Sequence, residues 1–213
     1  MKHAASRELY AYWEEKRGNR AAPERNEIDP GAIRGVLSDT FILALDRRAG
    51  HPLRLAGTRV CALFDREIKG ESFLDLWAPS SRPIMASLIT ILADECSGTV
   101  AGVTAANASG EEINLELLLL PLGSRRPSFA RAIGVLAPLK VPSWLGTSPI
   151  GPLTLGGRRH VGAELEMRLL PRFLTPRLRR GLKVYDGGLA VQSGNAQPDK
   201  NEGPSAQDGP NAA

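Results

Sequence analysis

Cysteine is nearly absent from this chain: Cys61 and Cys96 are the only two in 213 residues. They have neither CxxC nor zinc-type spacing, which argues against a disulfide scaffold and for a reducing setting. Aromatic residues are scarce at 5%, so leucine must carry most of a core that the 42% hydrophobic content can supply. Long apolar runs are missing too. Asp, Glu, Pro or Gly interrupts each one before the roughly 20 residues that a membrane helix requires. The first residues, MKHAASRELYAYWEEKRGNR, are charged and lack an apolar h-region, unlike a secretory signal. A soluble cytoplasmic protein is the expectation. No phosphate loop, metal-ligand set or nucleophile–base pair occurs, so no enzyme is expected.

The charge that is present is unevenly placed. Net charge is +4, yet the stretch from Arg158 to Lys183 holds eight Arg and Lys residues against Glu164 and Glu166. The tail from Ser193 to Ala213 is slightly acidic, and the remainder is close to neutral. The basic balance therefore describes a local patch.

Periodicity sets out the order of elements. Leu9, Tyr12, Trp13 and Lys16 fall on one helical stripe within RELYAYWEEKR, with Ser6 as cap and Gly18 as stop. A helix this short must pack on something. It either lies on its own domain or pairs two copies through Leu9, Tyr12 and Trp13. Asp29 and Pro30 predict a second helix to about Leu37. TFILALD reads as a strand, RRAG as a turn and Leu53–Leu55 as the returning strand. Arg54–Trp77 then gives two short helices separated by a polar break. A long helix follows, capped by Ser81, with Pro83 in its first turn and Gly98 as its end. Strands are expected over 99–106, 111–122 and 129–136, the middle one half-exposed at first and then buried on both faces. The expected fold is α+β: a five-stranded antiparallel sheet over about 25–140 with helices on one face.

The stretches YW…R…P…R…IDP, FIL (41–43), RLAGTRVCALFDREIKGESFLDLW (54–77), LELLLLPLG (115–123) and AIGVLAP (132–138) resemble, in order, a bacterial family of small stand-alone PAS-like proteins. The resemblance covers about residues 9–140. It implies a PAS fold and a regulatory rather than catalytic role. The chain would be a signalling adaptor acting through a protein partner, with homodimerisation through the first helix. The alternative is a small-molecule sensor with a ligand in the PAS pocket. Candidate pocket residues are Arg59, Cys61, Phe64, Leu74, Trp77, Leu88 and Glu116. Arg59 and Glu116 either point inward, where they must be paired, or lie on a solvent face and an outer sheet face. Haem is disfavoured because His3, His51 and His160 lie off the pocket helices. A photoactive flavin is disfavoured because Arg59-Val60-Cys61-Ala62-Leu63 lacks the expected cysteine context. Cys61 reads as a core residue.

Beyond the domain, 1–24 forms the flanking helix and 141–192 a Pro/Gly linker followed by a basic segment. Trp144 in that linker is expected to be tacked onto a surface. Ala163–Leu169 alternates like a strand, and Pro171 and Pro176 preclude one long helix. Arg158, Arg159, Arg177, Arg179, Arg180 and Lys183 form the basic patch. It is read as a solvated or partner-facing surface, with phosphate or cyclic-dinucleotide binding as a further alternative. Nucleic-acid binding is not expected, because no reading element is recognisable. Residues 193–213 have no aliphatic side chain larger than alanine and are expected to be disordered.

Overall fold

The structure, a computed structural model, describes residues 1–123, 130–162, 177–179 and 182–184, the last two stretches as backbone alone. The chain divides into two units, Met1–Leu170 and Pro171–Ala213. In the first unit the helices are α1 (Ala4–Arg17), α2 (Thr58–Phe64) and α3 (Arg82–Glu95). Its strands are β1 (Thr40–Ala44), β2 (Leu53–Ala56), β3 (Gly98–Ala106), β4 (Glu112–Leu122), β5 (Arg131–Pro138) and β6 (Thr154–Val161). They form one antiparallel sheet in the order β2-β1-β5-β4-β3-β6. The second unit contains a short hairpin of β7 (Arg177–Arg179) and β8 (Leu182–Val184).

The sheet is the expected one plus a strand. β6 comes from the segment read as a linker. Thr154–Val161 pairs with β3, and Ile150 and Leu153 are buried just before it. Its glycines and prolines masked the signal, since Gly156 and Gly157 carry no side chain to show alternation. Gly156 also lies where β6 runs close to the Gly102 carbonyl.

α1 starts earlier than the stripe predicts. His3, not Ser6, is its N-cap, with the ring nitrogen accepting the Ala5 N–H at 3.2 Å. Gly18, at φ 54°, closes the helix by donating to the Glu14 carbonyl. The predicted helix from Pro30 to Leu37 is instead a chain of turns. The Asp29 carboxylate accepts the Gly31 N–H two residues on, an Asx turn rather than a helix cap. Gly31 and Gly35 weaken helix formation further, and the run ends in a 3-10 turn at Leu37–Asp39. At α3 the Ser81 hydroxyl makes no cap; it accepts the Leu155 N–H at 3.0 Å and ties β6 to the helix. Cys96, at φ 52°, ends α3, and Gly98 already belongs to β3.

Helices cover both faces of the sheet, not one. On the first face α2, α3 and a 3-10 turn at Phe73–Leu76 pack over Phe41, Leu43, Leu115, Leu117, Leu119 and Leu136. On the second, α1 and the 28–37 turns pack over Ile42, Leu118, Leu120, Leu122, Ile133 and Val135. β4 is thus buried along both faces, which its LELLLLPL run requires.

Leu9 and Trp13 are fully buried against this second face, and the Trp13 indole N–H donates to the Pro121 carbonyl at 2.8 Å. Arg17 lies 5.2 Å over the Trp13 ring and pairs with Glu14. The dimer role expected of Leu9 and Trp13 is corrected by this placement, because both side chains already fill a groove of their own chain. Tyr12 is half-buried; its hydroxyl accepts the Asp29 N–H at 2.8 Å and donates to the Glu27 carbonyl. Trp13→Ala is expected to destabilise the protein by about 3–5 kcal/mol in urea unfolding, with no change in molar mass by light scattering.

Candidate functional site

The space between the sheet and the helices α2 and α3 is occupied by an aromatic block. Phe41 from β1 stacks on Phe73 with centroids 5.5 Å apart, and Phe73 meets the edge of Trp77 at 5.8 Å. Gly134 on β5 makes room for the Phe41 ring; a Cβ there would collide with it and with the Leu118 carbonyl. Leu63, Met85, Leu88 and Ile89 close the block from the helical side. Ile150 and Leu153 then strap it. Ile150 N–H donates to the Leu63 carbonyl, Leu153 N–H to the Leu76 carbonyl, and Ala78 N–H to the Leu153 carbonyl. A cleft of about 180 Å³ bounded by Phe64, Arg66, Leu76 and Ile150 opens at this side, smaller than the roughly 300–1,000 Å³ of small-molecule pockets.

The pocket residues expected from sequence divide between these surfaces. Phe64, Trp77 and Leu88 are buried in the block, and Leu74 is half-buried against it. The Trp77 indole nitrogen is buried with no hydrogen-bond partner. Cys61 is half-buried on α2, its sulfur 3.5 Å from a Glu67 carboxylate oxygen. Burial first, and Glu67 besides, push its thiol up, so it stays protonated and a poor nucleophile. Arg59 projects outward, two-thirds exposed, and pairs at 2.9 Å with Asp39, which is buried. That pair ties α2 to the Leu37–Asp39 turn.

Glu116 lies on the opposite side of the sheet, as its register demands, but it is not solvated there. The start of α1 covers it, leaving it 4% exposed. Its carboxylate accepts the backbone N–H groups of Lys2 at 2.6 Å and His3 at 3.0 Å. Burial alone would push this carboxyl up, yet the hydrogen bonds win and hold it below the ordinary range. An acidic group at a helix N-terminus also meets the positive end of the helix dipole.

Sequence reasoning missed Phe41 and Phe73 as partners of Trp77, because their contact depends on strand register and not on spacing. Trp144 packs partly on the same core. Of the basic patch, Arg158 and Arg159 stand exposed on β6 in the first unit, while Arg177, Arg179 and Lys183 belong to the β7–β8 hairpin of the second. Arg180, the expected strand at 163–169 and the tail from 193 lie outside the described residues. Among the described residues, no cluster of three His, Cys, Asp or Glu could hold a metal ion, and no helix is long and apolar enough to cross a membrane.

Residues 1–137 match the PAS domain family. The chain belongs to it. Among solved structures it is similar to the RsLOV d2 variant, at 18% identity and TM-score 0.39 over 52% of this chain and 66% of that one. It is also similar to the PAS domain of a protein from Colwellia psychrerythraea, at 14% identity and TM-score 0.38 over 52% of this chain and 97% of that one. An RNA-binding Light-Oxygen-Voltage receptor matches at 19% identity and TM-score 0.38, over 52% of this chain and 33% of that one. No curated protein matches. Membership places this PAS protein in the signalling and sensory class; in this PAS protein the first helix, α1, lies inside the matched region.

The Glu116 geometry fixes a pH dependence. A carboxyl whose folded value is depressed contributes stability that is complete above its unfolded value and is lost as pH falls through the folded one. Glu116→Gln is expected to lower stability at pH 7 by about 1–2 kcal/mol. The gap from the parent protein should close as pH drops below about 4, measured by urea unfolding across pH.

Proposed function

We propose that this PAS protein is a non-enzymatic cytoplasmic signalling adaptor that acts in a bacterial regulatory pathway by contacting another protein. The observation that carries this reading is the Phe41–Phe73–Trp77 block, which occupies with the chain's own side chains the space between sheet and helices. An interior filled in this way leaves the surface to do the signalling. The surface offers material for it: Val141 is 73% exposed and Leu139, two residues away, 37%. Large apolar side chains exposed next to one another suit a protein contact.

A second reading, a small-molecule sensor, is favoured by the Trp77 indole nitrogen. A buried N–H without an acceptor costs about 1–3 kcal/mol, and a ligand oxygen would remove that cost. Phosphate or cyclic-dinucleotide binding by the arginine-rich segment is a further reading that rests on composition, with Arg158 and Arg159 exposed on β6 as its support. Native mass spectrometry of the full chain separates the first two. The adaptor reading expects no small molecule whose retention depends on Trp77; a stoichiometric small molecule retained by the parent protein and lost in Trp77→Phe would replace it with the sensor reading.

A further inference from the structure

A second cavity, on the face of the sheet away from the aromatic block, has a different chemistry. It is a groove of about 490 Å³ between the 28–37 turns and the outer side of β1, β2 and β5. Its floor is a row set by strand register: Leu55 on β2 opposes Ile42 on β1, which opposes Ile133 on β5. Ile28 and Ile33 form the opposing wall. The row is open to solvent at one end, where Leu55 is 40% exposed.

Arginines surround this apolar floor. Arg25 and Arg34 line the groove. Arg131 shares the outer face with Ile133, two residues along β5, and Arg54 adjoins Leu55. Strand pairing brings them to one corner of the sheet: Arg131 pairs with Ala44 on β1 and with Leu122 on β4, next to Gly123, which bridges to Glu24 beside Arg25, and Arg54 sits on β2 at the irregularity opposite Ile42 and Leu43. Burial first, and then the positive charges of Arg54 and Arg25, hold the Arg131 guanidinium below its ordinary value. Elsewhere Arg17, Arg20, Arg59, Arg66 and Arg82 each have a carboxylate partner, while the scattered Arg7, Arg47, Arg48, Arg158 and Arg159 have none among the described residues. Among the described residues none of Arg25, Arg34, Arg54 and Arg131 makes an ion pair. The nearby Asp39 is already committed to Arg59, and the Asp29 carboxylate to the Gly31 N–H.

Arginines that make no ion pair, gathered beside an apolar trough, are complementary to one kind of ligand. We propose that this groove binds a single-headed anionic amphiphile, with its carboxylate or phosphate on Arg25, Arg54 and Arg131 and its hydrocarbon chain along Leu55, Ile42 and Ile133. The volume falls in the range of small-molecule sites. Arginines gathered at one corner beside the trough suit one head group better than the spread charges of an acidic helix, and the guanidinium fork suits carboxylate and phosphate alike. The site is independent of the interior on the other side of the sheet. It would bridge the 28–37 turns to the start of α2, because Gly57 and Thr58 also line the groove.

The test is isothermal titration of the full chain with dodecanoate and, separately, dodecyl phosphate, both below their micelle concentrations. Dodecanol and dodecyltrimethylammonium serve as uncharged and cationic controls. Amide shifts are mapped by NMR in parallel. Binding of either anion is expected, with shifts at 28–37, 54–58 and 131–133; the tighter of the two identifies the head group. The double variant Arg25→Gln/Arg54→Gln should weaken it at least tenfold at unchanged melting temperature, and Leu55→Glu should abolish it. Equal binding of dodecanol, shifts confined to the aromatic block, or no effect of the arginine changes would overturn the proposal. So would failure of both anions to bind, including the case in which only an acidic amphipathic peptide does.

Discussion

β4 is buried on both sides, and the rest of the molecule is arranged to satisfy that constraint. Leu115, Leu117 and Leu119 point to one face, and Leu118, Leu120 and Leu122 to the other. Fully burying each leucine is worth about 1.5–3 kcal/mol, so leaving either face open would expose several such side chains at once. The helices α2 and α3 close the first face. α1 closes the second, held by Leu9, by Trp13 with its indole bond to Pro121, and by Glu116 gripping the backbone at Lys2 and His3. Leu9 and Trp13 of this helix are thereby spent on their own sheet.

The strands and the long helix were legible because their signals are local. TFILALD, the alternation in β4 and the 3.6-residue spacing of Met85, Leu88, Ile89 and Leu92 each report their own burial. Errors arose where a local rule met a competing partner. Asp29-Pro30 has the composition of a helix start, but the Asp29 side chain reaches Gly31 and makes a turn. Ser81 precedes a helix as a cap should, yet its hydroxyl is used by Leu155, 74 residues away. β6 was read as linker because Gly156 and Gly157 erase the alternation that identifies a strand, and its pairing is decided by the free edge of β3.

Candidate-site residues followed the same division. Leu88 is identifiable as interior from the apolar spacing of its helix, and Trp77 from the family resemblance. The stacking of Phe41, Phe73 and Trp77 was not, since it joins β1 to a 3-10 turn about thirty residues later through the fold. Glu116 shows the limit of an inward-or-outward choice. Its register sends it outward, and a helix covers it there; a face distant from the pocket can still be dry.

The two faces carry different roles in this account, an interior packed with aromatics and an outer face closed by α1 and grooved beside it. The central claim is that α1 belongs to the cooperative core. Native-state amide hydrogen exchange by mass spectrometry tests it most directly. The account predicts that peptides spanning Leu9–Trp13 and Leu117–Leu122 exchange slowly, with the same opening free energy and the same response to urea. Rapid, urea-insensitive exchange of α1 while β4 stays protected would contradict it.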